Sequence, residues 1–211
     1  MNIKNIKHEY PNFTLSINDL SVGENKIIGL VGENGSGKTT LMDLLSGFLK
    51  ANRSFEVLDY QMDEILFIPS DLGTYEYLTV GEFCTLVLKS AQHPKELAEL
   101  LNQLKLADKK DTLISDLSQG MKKKLSLINL FTENYKFLIL DEPFNSIDMS
   151  YVYDLKKEIK KISERATVLI SSHILDTLND LCDEFIYLKD GAVLKQFENN
   201  DKNVLEREIF E

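Results

Sequence analysis

The eight residues from Gly32 to Thr39 have types and spacing suited to holding phosphate. They read Gly-Glu-Asn-Gly-Ser-Gly-Lys-Thr, which fits the pattern G-x-x-x-x-G-K-[ST] at every fixed position. Glycines let such a loop curl until its backbone N–H groups point at an anion, where Lys38 adds positive charge and Thr39 offers a hydroxyl to Mg²⁺. A plain strand-to-helix turn is the alternative interpretation. We predict a nucleotide-binding loop formed by Gly32, Glu33, Asn34, Gly35, Ser36, Gly37, Lys38, Thr39 and Thr40.

Two carboxylates and a histidine follow apolar segments later in the chain. Asp141 and Glu142 come directly after residues 137–140, which predict a buried strand. An acid at such a strand tip supports Mg²⁺ in phosphate-loop NTPases, so Asp141 fits that role and Glu142 is placed to polarise an attacking water. His173 follows the predicted strand at 167–170, at the end where open α/β sheets bind ligands. A solvated turn and a satisfied polar histidine are the alternatives.

Strands and helices that alternate along the chain are needed to position these groups. Apolar runs at residues 27–31, 137–140 and 167–170 predict buried strands, and helical spacing follows each of them. This alternation is typical of an α/β fold with a largely parallel sheet and helices on both faces. Short strands before residue 31 predict a small antiparallel β part at the N-terminus.

The middle of the chain is predicted to be a helical insertion. Thr79-x-x-Glu82 has the form of a capping box, and Ser118 can cap a later helix. No linker or repeat divides the sequence, so we predict one domain over residues 1–211. Its α/β core comprises residues 1–71 and 133–211, and its helical subdomain comprises residues 72–132.

Composition excludes several classes of function. The 211 residues carry 24 Lys and Arg against 34 Asp and Glu, a formal charge of −10, so neither a general polyanion-binding face nor a nucleic-acid partner is expected. The basic run Lys122-Lys123-Lys124 is better explained as a solvated helix face or a rim for a partner's nucleotide. We find no signal peptide, no run of about 20 apolar residues and no disulfide pattern, and therefore expect a cytoplasmic protein.

Five motifs, in order along essentially the whole chain, resemble those of the ATP-binding subunits of ABC transporters. Besides the phosphate loop and the acidic strand end, they are Leu117-Ser118-Gln119-Gly120-Met121, Asn145-Ser146-Ile147-Asp148 and Ser172-His173. The resemblance implies the ABC ATPase form of the phosphate-loop NTPase fold, with ATP and Mg²⁺ as ligands. It also implies a head-to-tail dimer with a second copy or a paralogous ATPase.

The resemblance further implies roles for individual residues. Each ATP would lie between the phosphate loop of one subunit and the signature helix of the other. On this basis Glu142 is the general base, with His173, which resembles the family's switch histidine, and Lys38 as further catalytic groups. Tyr10 resembles the aromatic residue that stacks on adenine, a role for which Phe13 is the alternative. The residues that reach the opposite subunit's nucleotide are Ser118, Gln119 and Gly120 of the signature and Ser146 and Asp148 of the D-loop.

Some positions depart from the family pattern. Gln119 and Met121 stand where Gly and Gln are usual, and a Ser-x-Gly-Met form followed by basic residues is similar to ATPases of drug, bacteriocin and sodium exporters. Ser70 stands where the Q-loop glutamine of the family contacts Mg²⁺ and the membrane subunit. With Thr39 and Asp141 it completes the implied set of metal ligands.

The sequence thus predicts an ATP-hydrolysing subunit of an ABC transporter, of exporter type. It would power a separate integral membrane permease from the inner face of the cell membrane. The alternatives are a soluble ABC-family ATPase, an ATP-dependent dimerisation module that does not hydrolyse, and a phosphate-loop kinase.

Overall fold

The computed structural model describes residues 2–51, 56–57, 60–71, 73, 75–173 and 175–200. Within these ranges the strands are β1 (Asn2–Tyr10), β2 (Phe13–Ser21), β3 (Ile27–Val31), β4 (Glu56–Val57), β5 (Ile65–Ile68), β6 (Phe137–Leu140), β7 (Thr167–Ser171), β8 (Glu184–Lys189) and β9 (Ala192–Glu198). The helices are α1 (Lys38–Leu45), α2 (Val80–Ser90), α3 (Leu97–Gln103), α4 (Gln119–Ser126), α5 (Met149–Ser163) and α6 (Leu175–Asn179).

The central strands of the main sheet are short segments in which every side chain is buried. This holds for β3, β6 and β7 along their whole length. β7 pairs in parallel with both β3 and β6, and strands buried on both faces are typical of a parallel sheet covered by helices. The predicted α/β fold with a largely parallel sheet is confirmed.

The described strands form two sheets. The larger has the order β5-β6-β7-β3-β8-β9, in which β8 is parallel to β3 and β9 is antiparallel to β8. β8 and β9 are joined at Asp190 and Gly191, whose φ angles of 49° and 79° suit a tight hairpin turn. The smaller sheet has the order β2-β1-β4, and its antiparallel pairing of β1 with β2 confirms the predicted N-terminal β part.

The chain divides into two compact units. The α/β unit comprises Met1–Phe67, Tyr135–Glu142 and Lys156–Glu211, and the helical unit comprises Ile68–Asn134 and Pro143–Leu155. The helical unit has an apolar core of its own, formed by Val80, Phe83, Cys84, Leu100, Leu101, Leu104, Leu106, Ile114, Leu117, Leu125 and Ile128. The division inferred from the sequence, with residues 72–132 as the helical subdomain, stays a prediction.

Two helices of the helical unit begin at the capping residues that the sequence predicts. Thr79 Oγ1 accepts a 3.2 Å hydrogen bond from the backbone N–H of Glu82, whose carboxylate accepts the Thr79 N–H at 2.8 Å. Ser118 Oγ accepts the N–H of Met121 at 3.3 Å, so α4 begins at Gln119. Such caps contribute about 1 kcal/mol each to helix stability. The signature residues therefore occupy the first turn of a helix whose start is fixed.

None of the helices in the described ranges combines the length and the apolar character that crossing a bilayer requires.

Candidate nucleotide-binding site

The glycine-rich loop connects the end of β3 to the first turn of α1. Gly37, the N-cap of α1, has a φ of 106°, and Gly35 has a φ of 83°. Glycine adopts these angles at little cost, which explains its use at these two positions. The N–H groups of a helix's first turn have no intrahelical partners and carry partial positive charge. The loop therefore has the geometry of an anion-binding site.

The Lys38 ammonium is held at the loop by the loop's own carbonyl groups. Its Nζ donates hydrogen bonds to Gly32 O at 2.7 Å and to Glu33 O at 3.0 Å. Partial burial lowers the pKa of Lys38, while the negative charges of Glu142 and Asp141 oppose that shift. A phosphate group brings further negative charge, so its binding favours the protonated amine that pairs with it.

The acidic end of β6 faces the start of α1. Thr39 Oγ1 lies 3.4 Å from Asp141 Oδ2, which brings together two of the predicted metal ligands. Asp141 is buried, and its other carboxylate oxygen accepts a 2.6 Å hydrogen bond from the hydroxyl of Ser171, the last residue of β7. The same hydroxyl accepts the N–H of Glu142 at 2.9 Å. One serine on the neighbouring strand thus positions both acidic residues.

Glu142 and His173, the predicted base and switch residue, are in direct contact. Glu142 Oε2 lies 3.0 Å from His173 Nδ1 and 3.3 Å from the His173 backbone nitrogen, and both nitrogens donate to the carboxylate. Glu142 adopts a φ of 47°, in the left-handed region. That conformation costs a residue with a side chain about 1–2 kcal/mol. The chain therefore turns sharply after Asp141 and directs the two carboxylates differently.

The donor groups at this site suit a hard cation that arrives with phosphate. Thr39 offers a hydroxyl and Asp141 a carboxylate, both oxygen donors of the kind that Mg²⁺ prefers. Among the described residues, no group of three or more His, Cys, Asp or Glu side chains could hold a metal ion by itself. A Mg²⁺ ion bound partly through substrate phosphates needs only one or two protein ligands, so the site fits that ion.

Two further segments of the α/β unit support the phosphate loop. Gly191, in the β8–β9 turn, donates its N–H to Ser36 O at 3.0 Å, and its carbonyl accepts the N–H of Ser16 at 2.7 Å. The Phe13 ring packs at Gly37, where an added methyl group would lie 2.8 Å from its Cζ. Tyr10 is 43% exposed at the end of β1, with its ring centroid 6.4 Å from that of Phe13. Stacking of Tyr10 on adenine stays a prediction.

A cavity of about 390 Å³ in the α/β unit opens beside the loop. Its walls include Glu33 and Asn34 from the loop, His173, and Tyr187 and Lys189 from β8. Polar groups of opposite charge thus line a space that reaches from the phosphate loop to the predicted switch histidine.

In the helical unit, the signature turn is packed against the D-loop segment. A side chain at Gly120 would collide with the carbonyl oxygen of Ser146, so only glycine fits. Ser146 has a φ of 62°, and Gln119 and Ser118 precede Gly120 at the start of α4. These predicted cross-interface residues are brought together within one chain. Their contact with a second subunit's nucleotide stays a prediction.

Asp148 has a structural role within its own chain. Its carboxylate accepts the N–H of Tyr151 at 2.9 Å, which caps the start of α5, and its other oxygen lies 2.6 Å from Lys124 Nζ. Three donors hold the pKa of Asp148 well below its usual range. The Lys124 ammonium has the largest effect, and the Tyr151 N–H and the Ser150 hydroxyl have smaller ones. The predicted D-loop aspartate is therefore ionised and fixed.

Ser70 lies in the helical unit, two residues after β5 ends. Its carbonyl oxygen accepts a 3.1 Å hydrogen bond from Lys123 Nζ. A role for Ser70 as a metal ligand stays a prediction.

Sequence reasoning missed two residues that shape the site. Ser171 directly follows the predicted strand at 167–170, two residues before His173, and a polar residue closing an apolar run was the available signal. Gly191 lies in the β8–β9 turn, and nothing in its sequence neighbourhood indicates a hydrogen bond to Ser36.

Comparisons with known proteins agree with this geometry. The ABC transporter family model matches residues 15–145. YxlF of Bacillus subtilis, an uncharacterized ABC transporter ATP-binding protein, is 29% identical over 181 residues, which cover 82% of this chain and 61% of YxlF. The lantibiotic transport ATP-binding protein SrtF of Streptococcus pyogenes is 29% identical over 224 residues, covering 100% of this chain and 95% of SrtF. The chain thus spans less than two thirds of YxlF and nearly all of SrtF.

A solved structure has the same fold. It is the dimeric, post-hydrolysis state of an ATP-binding cassette bound to ADP and Pi, and it matches with a TM-score of 0.80 at 18% identity. The match covers 95% of this chain and 100% of the other.

Proposed function

The chain belongs to the ABC transporter family as an ATP-binding subunit, and we propose that it hydrolyses ATP held at the phosphate loop. The observation that carries the proposal is the end of β6, where Asp141 lies 3.4 Å from Thr39 and the next residue, Glu142, contacts His173 at 3.0 Å. A metal-binding carboxylate followed at once by a candidate base is what hydrolysis of a bound triphosphate requires. A kinase would need the base beside a second substrate instead.

In this proposal, each part of phosphoryl transfer is assigned to particular residues of the chain. Lys38 and the N–H groups of the loop bind the terminal phosphates and stabilise charge that develops on them. The Glu142 carboxylate accepts a proton from the attacking water, and His173 holds that carboxylate through its ring and backbone nitrogens, which both bond to Oε2. Ser171 keeps both acidic residues aligned, because one hydroxyl bonds to each of them.

Thr39 and Asp141 are the residues proposed to hold Mg²⁺, with Ser70 as a third candidate from the sequence. The ion, when bound with ATP, supplies positive charge to the β- and γ-phosphate oxygens.

The proposed active form is a head-to-tail dimer with a second copy or a paralogous ATPase. Ser118 caps α4, and the first turn of a helix presents N–H groups and a positive dipole end to an anion. Ser118, Gln119 and Gly120 are the proposed contacts to the nucleotide of the opposite subunit. The matched ATP-binding cassette forms a dimer in its ADP- and Pi-bound state, which supports this arrangement.

The proposed cellular role is to power a separate integral membrane permease of exporter type, from the cytoplasmic face of the membrane. SrtF, matched over almost its whole length, is named for lantibiotic transport. The Ser-Gln-Gly-Met form of the signature supports the same class of partner. Residues 72–132 are the proposed helical subdomain of this ATPase.

Phosphate release from ATP by the purified protein tests the enzymatic part. We expect turnover that requires Mg²⁺ and falls by about 10²–10³-fold in Glu142→Gln, which keeps the shape of the side chain but cannot take a proton. Equal rates in wild type and variant would contradict hydrolysis at this site.

Copurification from detergent-solubilised membranes tests the permease. Recovery of an active ATPase with no membrane protein would favour the soluble ABC-family ATPase instead.

A further inference from the structure

Three consecutive lysines of α4 reach three different segments of the helical unit. Lys122 Nζ lies 2.8 Å from the carboxylate of Glu76, and Lys124 Nζ lies 2.6 Å from the carboxylate of Asp148. The basic run therefore has acceptors inside its own chain. It does not form the solvated helix face that the sequence suggested.

Lys123, between them, is buried with only 6% of its surface exposed. Its Nζ donates to two main-chain carbonyls, Ser70 O at 3.1 Å and Pro69 O at 3.4 Å. Burying an ammonium group is costly unless its donors are satisfied, and two backbone oxygens of one loop accept hydrogen bonds from this one. The contact therefore joins a buried charge to the loop and is not an exposed surface pair.

The loop that Lys123 binds borders the two motifs implicated in ATP turnover. A polar cavity of about 60 Å³ is lined by Ser70 and Asp71 from the loop, Gln119 from the signature turn, and Asn145 and Ser146 from the D-loop. Lys122 and Lys123 also line it. A shift of the loop would change the shape of this cavity and the surroundings of both motifs.

We propose that Lys123 is a positioning residue, which fixes residues 69–71 against α4 and thereby supports turnover. The acceptors are carbonyl oxygens, which every residue type has, so the link does not depend on the side chain at position 70. The link is therefore compatible with serine at a position where the family has glutamine. The effect on turnover rests on the proposed ATPase function, whereas the effect on the loop does not.

Hydrogen exchange measures the structural part directly. In Lys123→Met, which removes the ammonium but keeps an unbranched apolar stem, we expect the amides of Ser70 and Asp71 to exchange at least about tenfold faster. Exchange of the phosphate loop, residues 32–39, should not change. Ser70→Ala should exchange like the wild type, because it keeps the carbonyl. Unchanged protection of residues 70–71 in Lys123→Met would overturn the proposal.

Two further variants keep this test decisive. Lys122→Met is the matched control, since its partner Glu76 is exposed and such pairs contribute little. If Lys123→Met does not fold, Lys123→Leu, which also has no hydrogen-bond donor but a shorter apolar side chain, gives the same comparison. Wild-type protection in that folded variant would also overturn the proposal.

Kinetics test the catalytic part. We expect kcat of Lys123→Met to fall by about 10–100-fold, with KM for ATP changed by less than about threefold, because the loop is misplaced while the phosphate loop is intact. Lys122→Met should retain kcat within about twofold. A wild-type kcat in Lys123→Met would overturn the role in turnover. If the wild type itself releases no phosphate, the proposed ATPase function fails, and the exchange result still decides the role of Lys123.

Discussion

The hydroxyl of Ser171 donates a 2.6 Å hydrogen bond to the carboxylate of Asp141, across the parallel pair of β7 and β6. Ser171 is fully buried and also accepts the N–H of Glu142. A single side chain on one strand therefore sets the orientation of the candidate metal ligand and the backbone of the candidate base on the next.

Ser171→Ala tests this arrangement. It leaves a buried carboxylate oxygen and a buried N–H without this partner, so we expect the free energy of unfolding to fall by about 1–3 kcal/mol. ATP turnover should fall as well, because Asp141 and Glu142 lose their common support. Urea unfolding and phosphate release measure the two effects. Ser163→Ala, at the C-terminal end of α5, is the control and should stay within about 0.5 kcal/mol. Wild-type stability and turnover in Ser171→Ala would show that the bond is dispensable.

Lys38 makes ATP binding dependent on pH. Because burial lowers its pKa below the ordinary 10.5, the amine of the free protein loses its proton before an exposed lysine does. We expect ATP affinity to decline as pH rises from neutral toward 10.5, since the protonated form is the one that pairs with phosphate. Lys38→Ala should lose about 2–5 kcal/mol of binding free energy at neutral pH and most of this pH dependence.

Isothermal titration calorimetry with ATP measures both effects. Lys50→Ala, at an exposed position after α1, is the matched control and should bind like the wild type. Unchanged affinity in Lys38→Ala would contradict the assignment of the loop.

Glu142→Gln should trap the dimer. The variant keeps every group that binds phosphate, so ATP should still join two subunits, while loss of the base prevents the hydrolysis that separates them. Gel filtration with ATP and Mg²⁺ should show a dimer, and the wild type without nucleotide should be largely monomeric. Adding Lys38→Ala to the variant should restore the monomer. Elution of Glu142→Gln only as a monomer would contradict the clamp arrangement.

Asp148 stabilises α5 in two separable ways. Asp148→Ala removes the helix cap and the ion pair with Lys124, so the free energy of unfolding should fall by about 1 kcal/mol. Asp148→Asn keeps a capping oxygen and should lose only about 0.5 kcal/mol. Since the pKa of Asp148 is lowered in the fold, the ion pair contributes above the ordinary aspartate pKa of about 4 and is lost as pH falls through the lower native value.

Urea unfolding at neutral and acidic pH provides the measurement. The difference between wild type and Asp148→Asn should shrink in acid. An Asp148→Ala variant as stable as the wild type would show that α5 does not depend on this cap.

The phosphate loop, the acidic strand end and the alternation of strands with helices were predictable because each depends on neighbours in sequence. Residues 137–140 are apolar and lead directly into Asp141, so strand and site are contiguous. Thr79 and Ser118 were predictable as caps for the same reason, since each bonds an N–H three residues ahead.

The contacts that the sequence did not predict depend on the order of strands in the sheet and on pairs of residues that are far apart in the chain. Gly191 supports Ser36 only because β8 lies beside β3, which local turn chemistry does not encode. By resemblance, Asp148 was predicted to reach the opposite subunit's nucleotide. Within the chain, however, its carboxylate accepts a hydrogen bond from Lys124, 24 positions away. Lys123 was interpreted from its charge as part of a solvated face or a nucleotide rim. In the fold it is buried, and its ammonium donates to the loop at Ser70.

The position of Phe13 at Gly37 has a practical use. The chain contains no tryptophan, so a single indole introduced as Tyr10→Trp would be its sole strong fluorophore. That indole would stand on the hairpin whose other aromatic ring rests against the phosphate loop. Because Tyr10 is the predicted adenine-stacking residue, we expect the emission of that indole to change when a purine nucleotide binds, in a protein that is otherwise optically silent above the tyrosine band.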